Sequence, residues 1–308
     1  MTIDVRPLAE GVPFGSRVVG LTRDDLTDED TRDRLVGLFE DRGVLVFEDV
    51  EPTPSMQVAI STVFGPLKDH PSKATPRAGG ELGVIEIRSE ANAPGVVEID
   101  GRQMSSWLPW HFDHCYNDQL NRAGVLRAVE VVPEGGTTGF VDGIALYEAV
   151  APEIRDRVEG HEVLYAMDVI LDNLTYGRPP SMVEISRSSG ADAVMTEYEG
   201  RPRAIHPAVW TRASGEKVLH VSPWMAKGIV GLDQDAADSA LHAIAEEINA
   251  KAKGLCYFHQ WHPTDMVIWD NWRILHSVSG ADPGYARCMH RTTIEGDYGL
   301  GRFEDSLV

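Results

Sequence analysis

The apolar positions change period along the chain, and the changes mark out its elements. From Thr27 a run of acidic residues leads into Leu35, Leu38 and Phe39, spaced for one face of an amphipathic helix whose opening acids favour the N-terminal dipole. A short strand, Gly43 to Phe47, is predicted next. Thr53 and Pro54 cap a second helix, along which Met56, Ala59, Ile60, Val63 and Phe64 repeat at helical spacing until Gly65-Pro66 stops it.

The middle of the chain reads differently. Gly83 to Arg88, Val96 to Asp100, Gly124 to Arg127 and Lys217 to Ser222 alternate or carry β-branched residues, as half-buried strands do. Helices are predicted around Ala145 to Val158 and from about Gln234 to Ala252, the second with Ala237, Leu241, Ile244, Ala245 and Ile248 on one face. Strands from Met266 to Trp269 and from Arg287 to Ile294 return the chain to a β-rich body. Between Asp168 and Pro207 the period fades among Gly, Pro, Ser and Arg, and this stretch reads as a long mobile insert, either a lid over a site or a disordered loop, two readings the sequence does not separate. No composition shift marks a linker, so residues 1–308 are expected to form a single domain with the insert at about 168–207.

With 308 residues and 43% hydrophobic content the chain builds a sizeable core. Its net charge of −20 argues against nucleic acid and anionic membrane as partners, so an anionic small ligand needs local cations. No apolar run is long enough to span a bilayer, and the first residues lack a basic start followed by an apolar stretch. Cys115, Cys256 and Cys288 are widely spaced, which indicates neither a disulfide framework nor a thiolate zinc site and suits a reducing cytoplasm. Oligomeric state is open, a homo-oligomer being compatible with everything above.

Chemistry concentrates in a few places. In Trp110-His111-Phe112-Asp113 the i, i+2 relation puts His111 and Asp113 on one face of a strand, and His276 lies far downstream after another apolar strand. Two histidines and one carboxylate can take one face of an octahedral metal, which is the ligand set of mononuclear non-haem Fe(II) oxygenases, though His-x-Asp alone is a weak motif. Arg287, Met289 and Arg291 share one face of the final strand, and two guanidiniums there need anions. The anions are either local acids or a dicarboxylate cosubstrate and an acidic substrate. Gly135-Gly136 is a turn without phosphate-loop spacing. Cys115 beside His114 is a weak nucleophile-base pair, and His259 with His262 reads as a surface pair rather than a metal site.

These motifs, with Gly43 to Phe47, Phe64-Gly65-Pro66-Leu67, Pro133 to Thr138, His206-Pro207, Trp269-Asp270-Asn271 and Arg287 to Gly296 (RCMHRTTIEG), make the chain resemble the taurine dioxygenase and 2,4-dichlorophenoxyacetate dioxygenase family of Fe(II)- and 2-oxoglutarate-dependent oxygenases. The resemblance spans nearly the whole chain. It implies a mostly β fold with flanking helices, a distorted double-stranded β-helix of the jelly-roll, cupin-like kind. It also implies Fe(II) on His111, Asp113 and His276, 2-oxoglutarate as cosubstrate on Arg287 and Thr138, and O2 as oxidant. Succinate and CO2 are the expected coproducts, and hydroxylation of an aliphatic C–H bond is the default outcome. Arg291 and His70 fall where taurine enzymes hold a sulfonate. The neighbours of the His-x-Asp motif depart from the taurine pattern, and Trp107, Tyr116 and Trp224 suggest a bulkier, partly apolar acid as the small-molecule substrate. A redox-inert metal protein of the same fold, a zinc hydrolase or a ligand-binding sensor, is the alternative.

Overall fold

The computed structural model describes residues 3–70, 72–78 and 83–304. Two β-sheets carry the site between them. The larger has eight strands in the order Asp4–Pro7, Ser16–Val19, Val44–Glu48, Met266–Asp270, Ala123–Glu130, Arg287–Ile294 and Leu67–Lys68, with Val84–Ser89 also paired to Arg287–Ile294. The smaller runs Tyr257–His259, Thr138–Asp142, Ile274–Val278 and Leu108–His111. Val44, Val46, Leu126, Ala128, Val267, Trp269 and Met289 from the first pack against Phe140 and Ile274 from the second, so the sheets face one another across a shared core. Two facing sheets with flanking helices make up the double-stranded β-helix that the resemblance implies.

Alternation along each strand sends the intervening residues outward. Leu45, Phe47, Val125 and Ile268 meet Leu35 and Phe39 of the helix Glu29–Arg42 and Met56 and Ile60 of the helix Pro54–Ser61. Asp28 caps the first of these, accepting from Thr31 N at 3.1 Å, and Gly43 ends it with φ 74°, the left-handed turn that glycine takes without strain. Thr53 caps the second, accepting from Met56 N at 3.1 Å. The long helix Gln234–Leu255 buries Leu241, Ile244 and Ile248 against Val141 and Leu275 on the outer face of the smaller sheet.

Three expectations differ from what the chain does. The helix expected over Ala145 to Val158 is two, Gly143–Ala149 and Pro152–Arg155, because Pro152 has no N–H to continue the first and opens the second. The helix expected through Phe64 ends at Ser61. The Asp168 to Pro207 stretch is built rather than featureless: Val183–Ser186 pairs with Val96–Ile99, Ala191–Tyr198 is a helix, and Ala204–Pro207 sits between Glu162–Tyr165 and Arg302–Phe303 in a third sheet. Among the described residues, no helix is long and apolar enough to cross a membrane.

The His206-Pro207 motif has a structural reason. His206 is buried, its Nε2–H donates to Asn117 O at 2.7 Å, and its Nδ1 accepts from the Tyr298 hydroxyl at 2.6 Å. His220 stacks on Phe112 with ring centroids 3.9 Å apart. Burial pushes both imidazoles down, His206 to about 4 and His220 to about 3. Between those values and the unfolded value near 6.5 the unfolded chain binds more protons, so stability falls as pH drops through this window. The loss from His206 alone is on the order of 3 kcal/mol. Urea unfolding should therefore show a free energy that declines from about pH 6.5 to 4, more shallowly in His206→Gln; an equal slope in that variant would remove His206 as a cause.

Candidate metal centre

His111 ends the strand Leu108–His111 and lies directly opposite His276 of Ile274–Val278 in the antiparallel register. One ladder thus brings together two histidines far apart in sequence, with ring centroids 4.0 Å apart. Asp113 lies beyond the strand end, and its place comes from Asn271. Asn271 Oδ1 accepts from Asp113 N at 2.8 Å and its Nδ2 donates to Asp113 O at 3.0 Å, while Nδ2 also reaches Asn121 Oδ1 at 3.1 Å. His276 Nε2 stands 3.7 Å from Asp113 Oδ1. The donor atoms of His111, Asp113 and His276 all lie within 4.8 Å of one another, and the three residues are buried.

The donor set fits a divalent cation. His111 Nδ1–H donates to Pro109 O at 2.7 Å, which fixes the tautomer and leaves the Nε2 lone pair free. Burial pushes both imidazoles down and keeps them neutral, as ligands must be. Burial works to raise the Asp113 carboxyl, but the Arg291 guanidinium outweighs it and holds the group below the ordinary carboxylate range. Asp113 is held as a carboxylate by Arg291, whose Nη2 stands 2.9 Å from its Oδ2, and an ionised carboxylate beside two neutral imidazoles is a donor set that a divalent cation takes.

The centre opens on a cavity of about 350 Å³ whose lining is largely apolar. Thr138, Arg287, Arg291, His70, Tyr116 and Trp224 all border it. Arg287 is buried, donates from Nη2 to Gly136 O at 3.1 Å, and has no carboxylate partner among the described residues; burial lowers it to about 10. Gly136, at φ 61°, makes room for it, since a Cβ there would come within 3.2 Å of Arg287 Nε and 2.8 Å of Val132 Cγ2. The hydroxyl of Thr138 accepts from Trp261 Nε1 at 3.0 Å, which leaves its own proton to give. Arg291 donates from Nη1 to Asp113 Oδ1 at 2.9 Å, so in this structure it meets the local acid that was one of its two expected anions.

His70 accepts at Nδ1 from Ser72 N at 3.1 Å, and its ring is pushed down to about 4 by burial and by Arg291. Trp224 stands edge-on to His111 at 4.9 Å. Trp107 does not border this cavity. It packs with Val97, Met104, Leu174 and Met182 and borders a neighbouring groove, because Ser106, at φ 58°, redirects the chain just before the strand.

Other donors are accounted for. Cys115 lies against Met225 Sδ at 3.8 Å and burial pushes its thiol up, so it is no nucleophile. His259 is buried rather than superficial, and it shares Asp265 with the exposed His262 at 3.2 and 3.1 Å. Glu86, Cys288 and His290 also cluster, on the opposite face of the final strand. There Arg127 Nη2 donates to His290 Nδ1 at 2.8 Å, so Nε2 keeps the proton and no lone pair remains for a metal. The contributions of Asn271 and Trp261 lay outside the sequence reading; Asn271 was visible only as part of a motif.

Residues 4–293 match the model of the family described as taurine catabolism dioxygenase TauD, TfdA family. The chain belongs to that family. It is an Fe(II)- and 2-oxoglutarate-dependent dioxygenase. It is 28% identical over 295 residues to pentalenolactone F synthase of Streptomyces arenae, covering 94% of each chain. It is 27% identical over 299 residues to (S)-phenoxypropionate/alpha-ketoglutarate-dioxygenase of Sphingobium herbicidovorans, covering 96% of this chain and 95% of that one. A solved structure of AAD-2 in complex with Mn(II) and N-oxalylglycine superposes with a TM-score of 0.69 at 22% identity, covering 96% of this chain and 98% of the other.

Because Asn271, just past a strand of the larger sheet, clamps the Asp113 main chain through a paired amide contact, Asn271→Ala should weaken metal binding about 10- to 100-fold while leaving the fold intact. Metal titration with circular dichroism as the control checks this, and unchanged affinity would show that Asp113 needs no such clamp.

Proposed function

We propose that this dioxygenase oxidises, by hydroxylation, an aliphatic C–H bond of a small, partly apolar carboxylic or sulfonic acid. The observation that carries the reading is the three-residue donor cluster on the wall of an apolar cavity that also holds two arginines, of which, among the described residues, only Arg291 meets a carboxylate.

In this reading His111, Asp113 and His276 hold the iron. When bound, Fe(II) with 2-oxoglutarate and O2 supplies the oxidising power and releases succinate and CO2. Arg287 takes the distal carboxylate of 2-oxoglutarate through its planar fork, and Thr138 gives that carboxylate the hydroxyl proton left free by Trp261. Arg291 and His70 anchor the substrate's acid. His70 suits this, since its Nδ1 already accepts from Ser72 N and its Nε2–H is free to donate. Tyr116, Trp224, Val194 and Met167 bound the hydrocarbon part and keep water away from the reacting carbon. The relatives named for phenoxypropionate and pentalenolactone F support a substrate larger and less polar than taurine.

The 168–207 stretch is read as an ordered lid on a single domain. Val169 and Val194 reach the cavity, and Glu197 accepts from Ser72 Oγ at 2.7 Å and Lys73 N at 3.0 Å, which ties the lid helix to the segment bearing His70. Net charge of −20 supports a small-molecule partner and no nucleic acid.

Arg287→Lys keeps the charge and loses the fork. With small carboxylates and sulfonates screened by succinate release, the variant should raise the KM for 2-oxoglutarate about tenfold or more with little loss of iron. An unchanged KM for 2-oxoglutarate with weakened iron binding would make Arg287 structural.

A further inference from the structure

His114 is buried, follows the ligand Asp113 directly, and takes φ 58°, a left-handed conformation that a side chain with a Cβ adopts at a cost. Neither of its ring nitrogens meets a hydrogen-bond partner. Buried polar groups are nearly always paired, so a strained residue with two bare nitrogens on a cavity wall is poorly explained by folding alone. The ring borders the metal cavity and stands edge-on to His70 at 5.4 Å and to Tyr116 at 5.9 Å.

Its neighbours define what it adds. Arg291 pairs with Asp113 through Nη1 and Nη2 and keeps a bare donor at Nε, and His70 offers Nε2–H, so both suit an oxyanion and neither accepts. An uncharged imidazole differs from both, because it presents one N–H and one lone pair pointing away from each other. A plain acid held by Arg291 and His70 leaves that lone pair bare. A hydroxyl both donates and accepts, and unlike an ammonium it adds no further positive charge beside Arg291.

We propose that His114 is a specificity-determining residue that hydrogen-bonds a hydroxyl carried by the substrate in addition to its acid, which makes the preferred substrate a hydroxylated, partly apolar acid. The inference rests on the anchoring of the acid at Arg291 proposed above.

Calorimetric titration of the anaerobic Fe(II)–2-oxoglutarate protein with hexanoate and each of its monohydroxy isomers tests it. Wild type should bind at least one hydroxy isomer about tenfold more tightly than hexanoate, the preference expected when a buried partner is otherwise left unpaired. His114→Phe should lose that preference and His114→Asn, which keeps a donor and an acceptor and tolerates left-handed backbone, should retain part of it. The thermal midpoint of ligand-free His114→Phe should stay level or rise, since two unpartnered polar atoms are removed. Equal binding of all isomers by wild type, a preference that survives in His114→Phe, or a lowered midpoint in that variant would each overturn the proposal. Failure of the anchoring reading looks different: Arg291→Gln would then bind hexanoate as well as wild type does.

Discussion

Two guanidiniums on the inner face of one strand govern the layout of the site. Arg287 and Arg291 flank Met289 on a strand whose other inward neighbours are apolar, and burying such charges is costly unless anions are brought to them. For Arg291 the protein supplies an anion itself, Asp113, whose carboxylate is also one of three metal donors. For Arg287 the described residues supply a carbonyl, Gly136 O, and a turn built of glycine to leave the guanidinium room. A buried guanidinium without an anion is an incomplete structure, and in the proposed reading the dicarboxylate cosubstrate completes it. In the proposed reading, metal donors, cosubstrate fork and acid anchor thus belong to one electrostatic arrangement, which the apolar wall strengthens by keeping out water.

The same arrangement explains why the scaffold holds the site rigidly. The larger sheet carries both arginines and Asn271 follows one of its strands, while the smaller carries His111, His276 and Thr138. Close packing of Trp269 on Gly124, where an added Cβ would lie 2.5 Å from the indole, fixes adjacent strands of the larger sheet. Trp269 also lies against His276 at 4.8 Å, so core packing sets the orientation of a metal donor.

What the sequence disclosed followed from range. Alternation alone places Arg287 and Arg291 on one face, and the closeness of His111 and Asp113 in the chain made them a visible pair, although Asp113 lies past the strand end and Asn271 places it. Long-range clamps were hidden: nothing local tells that Asn271 holds Asp113 or that Trp261 donates to Thr138. Left-handed residues misled the reading where they broke alternation, as Ser106 did for Trp107. The Val183–Ser186 strand escaped notice because its pattern is inverted, with Val183 and Ile185 on the exposed side and Glu184 and Ser186 half-buried. Pro152 divided a helix whose apolar spacing continues through it.

The central claim is that His111, Asp113 and His276 hold Fe(II) in reach of a 2-oxoglutarate site formed by Arg287. Absorption spectroscopy under strict exclusion of oxygen tests it most directly. Fe(II) and 2-oxoglutarate added together should produce a weak visible charge-transfer band that neither produces alone, and the band should be absent from His276→Ala. A wild-type protein that binds Fe(II) and stays colourless with saturating 2-oxoglutarate would contradict it.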